Sequence, residues 1–109
     1  MAVESSTMKG FSGLIRLMVG FDMDGKIKDI TVLEHAETPG LGDKIEKEKS
    51  DFNVQFQGKD PATFELKVEK DNGEVDAITA STISSRAYCD AVQRAYDAFL
   101  KVRDNVNEY

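Results

Sequence analysis

The chain has 109 residues, with 14 Lys+Arg against 20 Asp+Glu and a formal net charge of −6. This fits one self-folding domain and excludes a nucleic-acid backbone as partner, because phosphate binding rests on clustered cations. At 40% hydrophobic and 31% charged the composition is globular rather than disordered, and one cysteine, Cys89, with one histidine, His35, excludes an internal disulfide and a Cys/His zinc cage.

Residues 1–9 carry Glu4, Lys9 and several hydroxyls but no apolar signal-peptide core. They read as an N-terminal extension without an export signal of its own, ahead of a domain over residues 10–109. Ile15, Leu17, Val19 and Phe21 alternate with Arg16, Met18 and Gly20, the two-residue period of a strand with one buried face. The apolar-rich stretch 14–21 contains Arg16 and is far shorter than the roughly 20 residues of a membrane span. Asp24-Gly25 then leads into Ile27, Ile30, Val32 and Leu33, a turn dipeptide between two apolar runs that predicts a hairpin. The run Asp22-Met23-Asp24-Gly25 lacks the ligand spacing and terminal Glu of a calcium loop, so no metal is expected.

Residues 43–49 are highly charged and predict a short surface helix with a solvated face. Phe52, Val54 and Phe56, then Phe64, Leu66 and Val68, alternate with polar residues and predict two further short strands. Asn72-Gly73 marks a turn, and residues 75–78 predict another strand. From Ser85 the period changes: Tyr88, Ala91, Val92, Ala95, Phe99 and Val102 recur at three- and four-residue steps, which predicts a helix of four to five turns capped by Ser84 or Ser85. Hairpin strands followed by helices read as α+β, with a mainly antiparallel sheet, a short surface helix and a long C-terminal helix. Met8, Met18 and Met23 read as core or strand surface, and Cys89 as a small buried hydrophobe.

Two segments are not explained by this scaffold. His35-Ala36-Glu37-Thr38-Pro39-Gly40-Leu41-Gly42 leaves the second predicted strand through a proline and two glycines, which permit a tight loop and close approach of another group. On spacing alone it reads first as a strand-to-helix connection, and His35 as a packing or loop-bonding group. Asp76-Ala77-Ile78-Thr79-Ala80-Ser81-Thr82-Ile83-Ser84-Ser85 lies directly ahead of the predicted helix. Unpaired amides and small residues at a helix start suit an anion such as phosphate, although the spacing is not a Walker loop and a hydroxyl-rich helix cap is the plainer reading.

Together the segments resemble the FMN-binding domain family found in the G subunit of Rnf electron-transport complexes and in the C subunit of sodium-pumping NADH:quinone reductases. That family's loop, H-x-E-T-P-G-L-G, stands here complete at residues 35–42. Its attachment motif, roughly D-[AG]-[IV]-[ST]-G-A-T-x-[ST]-[ST], stands at residues 76–85 with Ala80 for the usual glycine and Ser81 for the usual alanine. Gly13, Gly20, Asp24-Gly25 and Ile27 also look like the family's strand pair, so the resemblance runs from about Gly10 to about Leu100.

The resemblance implies a covalent flavin. A Mg²⁺-dependent flavin transferase takes FMN from FAD and joins its phosphate to Thr82. Glu37, Thr38, Gly40, Leu41 and Gly42 lie against the isoalloxazine, and Thr79, Ala80, Ser81, Ile83, Ser84 and Ser85 surround the attachment point. No side chain acts as a catalytic acid or base, since the flavin carries the redox chemistry. The domain is then a redox carrier of a membrane-bound, ion-translocating complex whose other membrane subunits are its partners. It would work on the extracytoplasmic, periplasmic face of the inner membrane, held by an N-terminal helix absent from this chain, with residues 1–9 the remnant of a truncated membrane-anchored segment. The C-subunit role in a quinone reductase is the close alternative, and a flavin-free protein-interaction module on the same fold is a second.

Overall fold

A computed structural model describes residues 1–37, 42–47, 50–78 and 81–107, with side chains as far as Arg103. Three nine-residue strands, β1 (Ala2–Gly10), β2 (Gly13–Phe21) and β3 (Ile27–His35), form an antiparallel sheet in the order β1-β2-β3. A 26-residue helix, α1 (Thr82–Asn107), crosses its inner face. The architecture is α+β, as the alternation of 15–21 and the helical period after Ser85 lead one to expect.

The two hairpin turns explain themselves locally. Gly13 sits at φ +106° and Gly25 at φ +87°, backbone conformations that a side chain would strain. In the second turn Asp22 Oδ1 accepts the amides of Asp24 and Lys26 at 2.9 and 3.0 Å. The inner face of the sheet consists of Ile15, Leu17, Val19, Phe21, Ile27 and Ile30, all buried. Each such side chain contributes roughly 1.5–3 kcal/mol when withdrawn from water. Ala87, Ala91 and Ala95, spaced four apart and fully buried, give α1 a thin stripe through which its backbone approaches the sheet. Tyr88 joins Phe52 and Phe56 in one aromatic cluster, with ring centroids 5.0 and 5.2 Å away, and Phe21, Tyr96 and Phe99 form another.

Several expectations are corrected. Residues 1–9, expected as an extension, supply nearly all of β1, which pairs with β2 from Ala2↔Gly20 to Gly10↔Gly13. The strand carries little apolar signal because its inward-facing positions are Val3, Ser5 and Thr7. Residues 52–56 form a 3₁₀ helix, not a strand. Phe52 and Phe56 are buried while Val54, which a strand would place on their face, is exposed. The Phe64–Leu66–Val68 alternation does bury Leu66 and Val68, but the segment meets 75–78 only at the parallel bridge Val68↔Val75. Neither run becomes a sheet strand.

The surface helix over 43–49 is a single 3₁₀ turn, Gly42–Ile45, and Ile45 and Asp43 are buried rather than solvated; Glu48 and Lys49 lie outside the described residues. Helix α1 starts three residues before Ser85 and is about seven turns long. At roughly 39 Å it outruns nine-residue strands of roughly 30 Å, which leaves Val102 exposed beyond Phe99. Met8, Met18 and Met23 are on the surface, and Cys89 is buried with its thiol pushed up to about 12 by that burial.

Candidate functional site

Strand β3 ends at His35, whose ring fixes the chain that follows. Its Nδ1 accepts the Glu37 amide at 3.0 Å and its Nε2 lies 3.1 Å from Glu46 Oε1. His35 is thus a loop-bonding group.

The Glu37 side chain then turns inward and is 4% exposed. Its Oε1 accepts the Phe11 amide at 2.9 Å and the Ser84 hydroxyl at 2.5 Å, and its Oε2 accepts the Ser12 amide at 2.9 Å. Burial by itself would raise the pKa of this carboxyl, but the Ser84 hydroxyl and the Ser12 and Phe11 amides outweigh it and hold the group below the usual carboxylate range. One carboxylate therefore ties the β1–β2 turn to the first turn of α1. Gly42 closes the same junction: a Cβ there would stand 2.5 Å from Ser84 Oγ and 2.8 Å from Glu37 Cβ. Thr38, Pro39, Gly40 and Leu41 lie outside the described residues.

The second segment is anchored at both ends. Asp76 N–H donates to Gln55 Oε1 at 2.8 Å, and Gln55 Nε2 donates to the Asp76 carbonyl at 3.0 Å. Further on, Ser85 Oγ accepts the Ile78 amide at 2.9 Å and donates to the Ser81 carbonyl at 2.9 Å, while the Ser81 amide donates to the Ile78 carbonyl at 3.0 Å. Neither Ser84 nor Ser85 caps α1 as expected. The Ser85 amide instead makes the first helical bond, to Ser81 O at 3.0 Å. Thr79 and Ala80 lie outside the described residues.

Among the described hydroxyls of 81–85, Ser81, Ser84 and Ser85 are 7%, 1% and 0% exposed, whereas Thr82 is only half-buried. Ile83 beside it is exposed. The fold thus brings together Glu37, Gly42 and Ser84 from segments more than forty residues apart, and leaves Thr82 half-buried. A cavity of about 500 Å³ is lined by Lys44, Phe52, Gln55, Asp76, Ala77 and Ile78, at the start of the second segment.

The model of the FMN-binding domain family matches residues 10–97. The chain belongs to that family. Its relatives include proteins named as the G subunit of an ion-translocating oxidoreductase complex from Shewanella amazonensis, 45% identical over 97 residues, and from Salmonella typhi, 45% identical over 96 residues. The protein of that name from Escherichia coli K12 is 45% identical over 98 residues. The alignments cover 85–86% of this chain but 45–47% of the relatives, so the chain spans about half the length of the curated relatives it matches.

Three members of the site carry no functional signal in the sequence. Phe11 and Ser12 enter through their amides, which no side-chain pattern announces, although Gly13 at positive φ marks their turn. Gln55 has the alternation of a polar strand position. Its role depends on the 3₁₀ turn that aims it at Asp76.

Proposed function

We propose that this chain is the flavin-bearing portion of the G subunit of an ion-translocating, Rnf-type oxidoreductase complex, with FMN joined through its phosphate to Thr82. One observation supports the reading: of the described hydroxyls of the 81–85 segment, Ser81, Ser84 and Ser85 are buried, whereas Thr82 is half-buried and has no side-chain hydrogen bond to another described residue. Family membership supplies the cofactor class, and the relatives, named as G subunits, favour the G subunit over the quinone reductase C subunit.

In the loading step the Thr82 oxygen attacks the FMN-side phosphorus of FAD on a flavin transferase. The phosphoester bond forms, the bond to the AMP phosphate breaks, AMP leaves, and the threonine proton passes to a base of the transferase. The product keeps one negative charge near the helix start. Once bound, the flavin takes up and gives off electrons, and the protein sets its position and surroundings. Ser84 and Ser85 hold the first turn. Glu37 begins the loop 38–41, which on this reading lies along the ring, with Leu41 as its apolar contact and Thr38, Gly40 and the loop amides near its polar atoms. Thr79 and Ala80 complete the stretch recognised by the transferase, and Ala80 for glycine slows that recognition without preventing it. The other membrane subunits of the complex are its electron-transfer partners, at the periplasmic face of the membrane. Among the described residues no helix is long and apolar enough to cross a membrane.

The test is intact mass and visible absorbance after coexpression with a flavin transferase, followed by peptide mapping. The reading expects one FMN per chain on the peptide bearing Thr82 and none in Thr82→Ala. Flavin mapped in Thr82→Ala to Thr79, Ser81, Ser84 or Ser85 refutes the assignment. A parent chain that stays colourless with active transferase favours the flavin-free interaction module.

A further inference from the structure

We propose that Glu37 is the positioning residue of the attachment site: by binding the Ser84 hydroxyl inside the protein, its carboxylate fixes the rotation of the first turn of α1 and so keeps Thr82 on the half-buried flank of the helix. The proposal rests on Thr82 as the acceptor and adds a role that does not involve contact with the flavin.

Successive residues of an α-helix are separated by about 100° around the axis, so Thr82 and Ser84 project about 200° apart. A contact that holds Ser84 inward therefore keeps Thr82 away from the carboxylate, on the half-buried flank of the helix beside the exposed Ile83 and Arg86. Glu37 makes that contact at 2.5 Å across 47 residues of sequence. It is itself immobilised by the amides of Phe11 and Ser12, so the helix start is referenced to the sheet hairpin rather than to a free loop. Gly42 presses on Ser84 from the same side with no room for a Cβ. A carboxylate suits the task because it accepts several hydrogen bonds at once and donates none. Glutamine in its place would turn an N–H₂ toward one of three donors.

The full chain is incubated with flavin transferase, FAD and Mg²⁺, and loading is followed by intact mass over a range of carrier concentrations. Far-UV circular dichroism at the assay temperature confirms that each variant is folded. We expect Glu37→Gln and Ser84→Ala each to lower kcat for loading at least tenfold with KM for the carrier little changed, since the motif is still recognised but the hydroxyl is misdirected. The double variant should be no slower than the slower single, because both remove one contact. Ser84→Ala, which leaves no buried donor opposed to another, decides the matter if Glu37→Gln does not fold. Folded Ser84→Ala loading at the parental kcat overturns the proposal, as do single effects that multiply in the double variant. A parent chain that does not load at all overturns the Thr82 reading instead, and the proposal with it.

Discussion

Gln55 and Asp76 are joined side chain to backbone by a reciprocal pair of hydrogen bonds, 2.8 Å from the Asp76 amide to Gln55 Oε1 and 3.0 Å from Gln55 Nε2 to the Asp76 carbonyl. The pair holds the first residue of the 76–85 segment against the 3₁₀ turn Phe52–Phe56. The same Nε2 also donates to the Phe52 carbonyl at 3.1 Å.

Replacing Gln55 should therefore loosen the start of that segment. Gln55→Ala is expected to cost about 1 kcal/mol, the net worth of partly solvated hydrogen bonds. Gln55→Glu keeps the acceptor for the Asp76 amide but loses the donor. Amide hydrogen exchange at Asp76 should accelerate in Gln55→Ala and stay near the parental rate in Gln55→Glu. Unchanged exchange in Gln55→Ala would contradict the clasp.

Glu37 gives stability a defined acid dependence. Its folded-state pKa is held below the ordinary value because the Ser84, Ser12 and Phe11 donors outweigh the effect of burial. The contribution is therefore fully present above the unfolded pKa, about 4.3, and is lost as pH falls through the lower folded value. Urea midpoints of the parent should drop between pH 7 and pH 3. In Glu37→Gln the drop should be smaller, from a lower starting point. Parallel profiles for the two proteins would show that another carboxylate governs the acid limb.

Gly42 cannot accept a side chain without movement. A Cβ at that position meets Ser84 Oγ at 2.5 Å and Glu37 Cβ at 2.8 Å, so Gly42→Ala should destabilise by roughly 1–3 kcal/mol, as overpacking does. Removing the Ser84 hydroxyl relieves one of the two clashes. Thermal denaturation should therefore show Gly42→Ala costing less in a Ser84→Ala background than in the parent. Additive losses would place the strain elsewhere.

Tyr88 is fully buried, and among the described residues its hydroxyl has no hydrogen-bond partner. Burial pushes the phenol pKa far above its ordinary value. Tyr88→Phe keeps the ring contacts with Phe52 and Phe56 and removes an unsatisfied polar atom, so it is expected to be neutral or to stabilise by about 1 kcal/mol. A clear loss of stability in urea titration would show that the hydroxyl is bonded in solution.

The amino-acid sequence by itself determined the elements whose burial is one-sided and periodic. Ile15, Leu17, Val19 and Phe21, four alternating positions in one run, form a strand with an inner face, and Tyr88 to Phe99 a helix stripe, as periods of two and 3.6 sustained over that length favour; the three-position alternations at 52–56 and 64–68 were too short to decide. The loop at 35–42 and the segment at 76–85 were likewise legible, as residue types no scaffold needs. Tertiary structure alone decided the rest. Strand β1 forms because the exposed edge of β2 offers a row of amides and carbonyls, a main-chain demand that Val3, Ser5 and Thr7 hardly register. Phe52 and Phe56 curl into a 3₁₀ turn because Tyr88, more than thirty residues later, supplies the surface they pack on. The division of labour among the hydroxyls was decided there too: Ser84 and Ser85 are spent on Glu37, Ile78 and Ser81, and Thr82 stays half-buried. Those partners lie up to 47 residues away along the chain, and only folding sets which hydroxyl meets a carboxylate and which meets water.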